Sequence, residues 1–197
     1  MKETKIGRWL FKKISLLSIG VARKRWLFYL LSYTWGILTT LAGWAMYLFV
    51  LIFRRKSIVE KGKFQTAHYL VFGNNWGGLE AGTNFLAADK MGKDYLTHTK
   101  CHELGHTYQN AVQGPIAIFL IFIPSVIRYW VQEIRSRKGK QNMPYDSIWF
   151  EKSASFIGEQ LLTETTGICY FYYENDAKTV NKDYLKEWGK DWKDEYF

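Results

Sequence analysis

His102-Glu103-Leu104-Gly105-His106 sets two imidazoles four residues apart, with a carboxylate beside the first. On an α-helix, residues four apart lie on one face, so both rings aim at a common point. Imidazoles at this spacing hold Zn2+, and the Glu that follows the first takes a proton from the water that the ion activates. His102 and His106 are therefore the predicted metal ligands and Glu103 the predicted general base. The pattern alone also fits an ordinary surface helix carrying two His. Three features count against that reading: the segment is helical by its own signals, the chain has only four His, and Glu151 follows downstream as a third ligand. Three protein ligands leave a fourth position open, as catalysis requires.

The groups around this core are weighed in the same terms. Cys101 directly precedes His102, but adjacent helix positions point about 100° apart, which turns its thiol aside. His98 shares the His102 face one turn earlier. Three His at successive turns span about 12 Å, too far for one ion to touch all three at about 2.1 Å. His98 is read as a support behind the ligands or as a solvent-facing group, and His68 as structural. Tyr145 and His98 are candidates to stabilise an oxyanion, and Asp146 and Glu159 to buttress a ligand.

These residues need elements to position them. Thr97 is a predicted N-cap for a helix running through Asn110 and stopping before Gly114-Pro115. Upstream, Tyr69–Phe72 and Leu79–Ala88 are apolar runs separated by Gly73-Asn74-Asn75-Trp76-Gly77-Gly78, which reads as a β-hairpin with an irregular turn. Asn75, Trp76, Gly77 and Gly78 could hold an extended peptide by its main chain, since an exposed strand edge accepts one and glycine permits close approach; they serve equally well as turn residues. Ile116 to Val126 is too short to cross a bilayer and is either core or a shallow membrane insertion. Residues 132 to 142 read as a polar loop, and Tyr145 to Ile168 as a helix carrying Glu151. Near the C-terminus, Tyr184, Trp188, Trp192 and Tyr196 recur at steps of four and make one helix face aromatic.

Composition points to a membrane. The chain is 48% hydrophobic and 18% aromatic with nine Trp, rich for a soluble protein of 197 residues. From Trp26 to Phe53 no residue is charged, and about 20 apolar residues suffice to cross a hydrocarbon core. A retained anchor is expected there, as a single pass or as a re-entrant hairpin broken at Gly36 or Gly43. Residues 6–25 hold six Lys or Arg and residues 54–73 hold five, so the flanking charges do not choose an orientation. Residues 5 to 21 space Ile6, Trp9, Leu10, Ile14, Leu17 and Val21 helically among Lys and Arg, as in a helix lying on a membrane surface. The formal charge of +9 clusters beside these apolar runs, which favours anionic lipid as partner over nucleic acid. Two cysteines provide no disulfide framework.

With His102, Glu103, His106, Glu151 and Ala154 in place, the chain resembles the gluzincin metallopeptidases, in which a glutamate on a second helix completes the zinc site. The wider spread, including Gln109, Gly114-Pro115 and Pro124-Ser125, looks like small bacterial membrane proteins carrying the motif. The resemblance covers about residues 68–160 and implies a bacterial, inner-membrane protein that hydrolyses an unidentified polypeptide. It departs from the family at Ser155, where some relatives have an Asp that supports a ligand His. The expected fold is α+β and mainly helical. It comprises a basic amphipathic segment at 1–25, an anchor at 26–53, a minimal zincin-like domain at 64–175 with its hairpin before the zinc helix, and a charged, aromatic helix at 176–197. The expected function is a membrane-anchored zinc metallopeptidase; the alternative is a non-catalytic zinc-binding membrane protein that acts as an interaction partner.

Overall fold

The computed structural model describes residues 4–73, 77–89, 93–140 and 148–166. Helix α1 (Lys5–Ala22) begins where the Thr4 hydroxyl accepts a hydrogen bond from the Gly7 N–H. α2 (Arg25–Tyr33) and α3 (Ile37–Phe53) follow, then β1 (Ile58–Phe64), β2 (Ala67–Phe72), β3 (Gly78–Ala81) and β4 (Asn84–Ala88). α4 (Lys93–Gln113) contains the His102–His106 motif; a π-helical stretch, Ile118–Phe122, runs into α5 (Ile123–Arg137), and α6 (Trp149–Thr166) carries Glu151. The architecture is α+β and mainly helical, with one four-stranded mixed sheet.

The sheet differs from the single hairpin expected. Its order is β1-β2-β4-β3: β1 and β2 are antiparallel, β3 and β4 are antiparallel, and β2 and β4 run parallel. The run Leu79–Ala88 is cut by a reversal at Gly82-Thr83, where Gly82 takes φ +61° and lies against the backbone of Thr40. β4 then returns into the gap between β2 and β3. Burial follows this order. β4 is buried along its whole length, while β1 alternates charged and half-buried residues as an edge strand does. One sheet face, with Tyr69, Val71, Phe85 and Ala87, packs on Leu104 and Tyr108 of α4, and the other, with Leu70 and Leu86, packs on Val50 of α3.

Helix boundaries shift from expectation for identifiable reasons. α4 starts at Lys93, so Thr97 lies inside it; Leu96, one residue earlier, already packs against the core. It ends at Gln113, where Gly114 adopts φ +56° and its N–H bonds to the Asn110 carbonyl, a glycine stop. The expected loop at 132–142 is helical to Arg137. The Glu133–Arg137 pair at one turn's spacing supports it, and Gly139 at φ +65° ends it. The C-terminal aromatic stripe and the segment 176–197 lie outside the described residues.

No single helix among the described residues is long and apolar enough to cross a membrane, but α2 and α3 together are, with a 91° bend between them. The break falls at Thr34–Gly36, so of the two glycines expected to interrupt this run Gly36 is the one at the bend. The Thr40 hydroxyl donates to the Ser32 carbonyl at 2.8 Å across the bend, and the Thr34 hydroxyl adds a second bond, at 2.6 Å, to the Leu30 carbonyl that its own N–H already reaches. Gly43 instead lets the β3 backbone at Ala81 lie directly against α3. These helices bury polar and small residues beside a few apolar ones and leave many large apolar side chains exposed. α3 buries Thr39, Thr40 and Gly43 while exposing Leu41, Leu48, Phe49 and Ile52. α1 buries Gly7, Phe11, Ser15 and Ser18 against α4 and α6, and turns Ile6, Trp9 and Leu17 outward.

Candidate metal centre

The site exists because α4 and α6 cross with their backbones nearly touching. A Cβ on Gly105 would collide with the Ala154 carbonyl, and one on Gly158 with the Cys101 carbonyl. Gly105 is the second free position of the His102–His106 motif, so its missing side chain admits the helix that brings the third ligand. Ser15 of α1 braces α6 from behind by a 2.8 Å bond to Ser153.

At the crossing, His102 Nε2 and His106 Nε2 lie 3.1 Å apart, and Glu151 Oε2 is 3.1 and 3.2 Å from them. All three residues are buried. The opposite ring nitrogens are occupied: His106 Nδ1 bonds to Gln109 Oε1 at 2.8 Å, and His102 Nδ1 to the Ser155 hydroxyl at 2.9 Å. Gln109 is itself oriented, because its amide donates to the Phe150 carbonyl at 2.9 Å, leaving only its oxygen for His106. The His106 Nδ1–H must therefore donate, which leaves the Nε2 lone pair facing the site. Glu151 Oε1 accepts from the Ser125 hydroxyl. Two ring nitrogens and a carboxylate oxygen thus converge on one buried point, an arrangement that could hold a cation. A tetrahedral ion with bonds of about 2.0–2.1 Å requires donors about 3.3 Å apart, close to the separations here. His102, His106 and Glu151 could hold a metal ion, and the donor set fits one.

No family model, curated protein or solved structure matches this chain. The likeness to gluzincins rests on the motif residues themselves.

In the metal-free site the three groups share charge among themselves. Burial would raise the Glu151 carboxyl, but the hydrogen bonds from His102 and His106 outweigh it and hold it well below the usual carboxylate range. Burial pushes His102 down to about 4; it acts on His106 too, but the Glu151 bond and charge prevail and bring that imidazole up to about 9. Glu103 is pushed up to about 8, by burial first and then by Glu80 and Glu151, with His106 opposing. A nearby cation favours its ionised form.

Sequence reasoning missed Glu80. It lies half-buried on β3, with both carboxylate oxygens accepting from the Asn110 amide at 3.0 and 3.1 Å, and desolvation raises it to about 8. Gly78 of the same strand leaves the space that the Glu103 carboxylate fills. Gly77 stands at the start of this stretch with φ +110°; Asn75 and Trp76 lie outside the described residues, as do Tyr145 and Asp146. His98 bonds to Glu159 at 3.3 Å, one turn from His102, and is not among the three converging ligands. His68 packs its ring between Trp44 and Tyr47, far from this chemistry in role. Cys101 is buried under Gly158, its thiol raised by burial and by Glu159.

Proposed function

We propose that this chain is a membrane-anchored zinc metallopeptidase, with Zn2+ held by His102, His106 and Glu151. The observation that carries the reading is the convergence of three buried lone-pair donors within 3.2 Å, with Glu103 on the same helix. Two nitrogens and one oxygen in a compact triangle suit zinc better than calcium or magnesium, which prefer more oxygens. When bound, the ion supplies an activated water and polarises the scissile carbonyl. Glu103 accepts the proton from the attacking water and passes it to the leaving amine. β3 is the outer strand beside α4, so an extended peptide can add to it by main-chain bonds and lie across the site. Gly78 keeps that strand close to Glu103 without a clash. The bent α2–α3 pair and its outward Leu and Phe side chains support anchoring in a bilayer, and Arg54-Arg55-Lys56 after it supports contact with anionic headgroups.

One observation favours a non-catalytic zinc protein instead: β3 closes over Glu103 and buries it. Two variants separate the readings. In detergent-purified protein, His106→Ala should lose both zinc and proteolysis, whereas Glu103→Gln should retain zinc while turnover falls by about a hundredfold or more. Membrane proteomes of cells expressing wild type and Glu103→Gln supply the substrates. Identical peptide profiles with zinc bound would overturn the peptidase reading, and absence of zinc from reconstituted wild type would overturn the site.

A further inference from the structure

Between Ile116 and Ile134 the chain meets the rest of the protein along one narrow stripe. Ala117, Ile121 and Arg128 are buried and Ser125 is half-buried, at helical steps of four, four and three; the other faces are open. Phe119, Ile127 and Trp130 are exposed by 69%, 58% and 55% although all are large and apolar. The segment then ends in Arg135, Arg137, Lys138 and Lys140, and its one acidic residue, Glu133, pairs with Arg137 at 2.9 Å. Water is a poor solvent for such a surface. A second copy would set one cation cluster against another, whereas an anionic lipid leaflet accepts the apolar faces in its acyl boundary and neutralises the charges at its headgroups.

The inward stripe carries a second feature. Ser125 donates its hydroxyl hydrogen to Glu151 Oε1, the oxygen turned away from His102 and His106. The exposed arm therefore holds one end of a metal ligand. We propose that residues 116–137 form an arm seated in an anionic bilayer, and that Ser125 transmits this seating to the orientation of Glu151, so that metal affinity depends on lipid contact. The coupling rests on the metal-site reading; the lipid seat does not.

The experiment uses full-length protein in vesicles of phosphatidylcholine and phosphatidylglycerol with brominated acyl chains. A fluorophore is attached through Phe119→Cys or Ile127→Cys, and for comparison through Lys61→Cys on β1, each with Cys169→Ser. Quenching at 119 and 127 should exceed that at 61 by at least about twofold, since bromines lie in the acyl layer that only the arm enters; equal quenching overturns the lipid seat. Zinc affinity is then measured by competition with a chelating dye. Ser125→Ala should weaken it by about 10–100-fold while Ser125→Thr retains most of it, as for other groups that orient ligands. Replacing phosphatidylglycerol by phosphatidylcholine should weaken wild type and leave Ser125→Ala unchanged. Equal affinity of wild type and Ser125→Ala overturns the coupling. If wild type itself binds no zinc, the metal-site reading fails and the coupling with it, while the quenching still decides the lipid seat.

Discussion

The sheet buries mostly apolar side chains, whereas the helices around it bury polar and small ones alongside apolar ones such as Phe11, Ile19 and Val50. β2 and β4 place Leu70, Val71, Phe85 and Ala87 inside, as strands in water do, whereas α1 and α3 place Ser15, Ser18, Thr39 and Thr40 inside and leave Trp9, Leu41 and Phe49 outside. The α4–α6 crossing follows a third pattern, with small residues at the contact and His102, His106 and Glu151 filling the space between. Apolar side chains alone do not say which way an element faces. In the sheet they mark the core; in α3 and α5 many of them lie outside it, and much of the core side is read from Ser, Thr and Gly instead. Close approach through small residues is how helices associate where lipid competes equally for large apolar groups.

The sharpest way to break this comparison is to fill a close approach. Gly158→Val puts a branched side chain into the Cys101 backbone, which neither helix can yield without losing the site, and should destabilise by about 3 kcal/mol or more. Gly20, in α1, has no atom within 4 Å of a Cβ position, so Gly20→Ala should be neutral or stabilise by up to about 1 kcal/mol. Thermal melting and zinc content of the two variants check both ends. A Gly158→Val protein with wild-type melting and full zinc would show that the crossing is looser than drawn.

How much of this was legible follows the same division. His102, Glu103 and His106 could be read together because a helix fixes the geometry of residues four apart, and that geometry survives any packing; Glu151, on another helix, was legible only through the resemblance to gluzincins. The bend at Gly36 was legible as a break in an uncharged run. The sheet order was not, because the parallel pairing of β2 with β4 depends on a long-range insertion that the local pattern at Gly82 only permits. The roles of Ser125, Glu80 and Gly105 were not legible for a related reason: each matters through a partner on another element, Glu151, Asn110 and Ala154 respectively. Gln109 lies three residues after His106, so its bond to that ring could have been inferred from spacing.

Gln109 offers the next test, smaller than the glycine clash. Gln109→Ala removes the acceptor that fixes the His106 ring and leaves the Phe150 carbonyl without its donor. Zinc affinity should fall by about 10–100-fold while the fold persists. Affinity equal to wild type would mean that α4 and α6 packing alone orients the ring. In the α2–α3 pair the corresponding change is Thr40→Val, which keeps the shape but leaves the Ser32 carbonyl unpaired at the bend. The expected cost is about 1–2 kcal/mol in detergent melting, with zinc affinity unchanged. Loss of zinc as well would show that the bend and the metal centre are one cooperative unit.

The smallest effect should come from the charge pair that joins the two regions. Arg23, just after α1, contacts Glu164 near the end of α6 at 2.5 and 3.2 Å, and the Arg23 hydrogen bond holds the Glu164 carboxyl below its ordinary value. A carboxyl depressed on folding stabilises above its unfolded pKa and loses that contribution as pH falls through the folded value, so the effect should be present at pH 7 and fade below about pH 4. The side chains are 60% and 30% exposed, so water screens the pair. Glu164→Gln should cost less than about 1 kcal/mol at pH 7, and less again at high salt. Melting of wild type and variant at neutral and acid pH measures it. A small difference means that α1 is fastened to α6 by Phe11 against Phe156 and by the Ser15–Ser153 bond, contacts that salt and acid do not reach. A cost of several kcal/mol would instead make the pair the clasp between α1 and α6, and any metal affinity of the His102–His106–Glu151 group would then fall with pH for a reason outside those three residues.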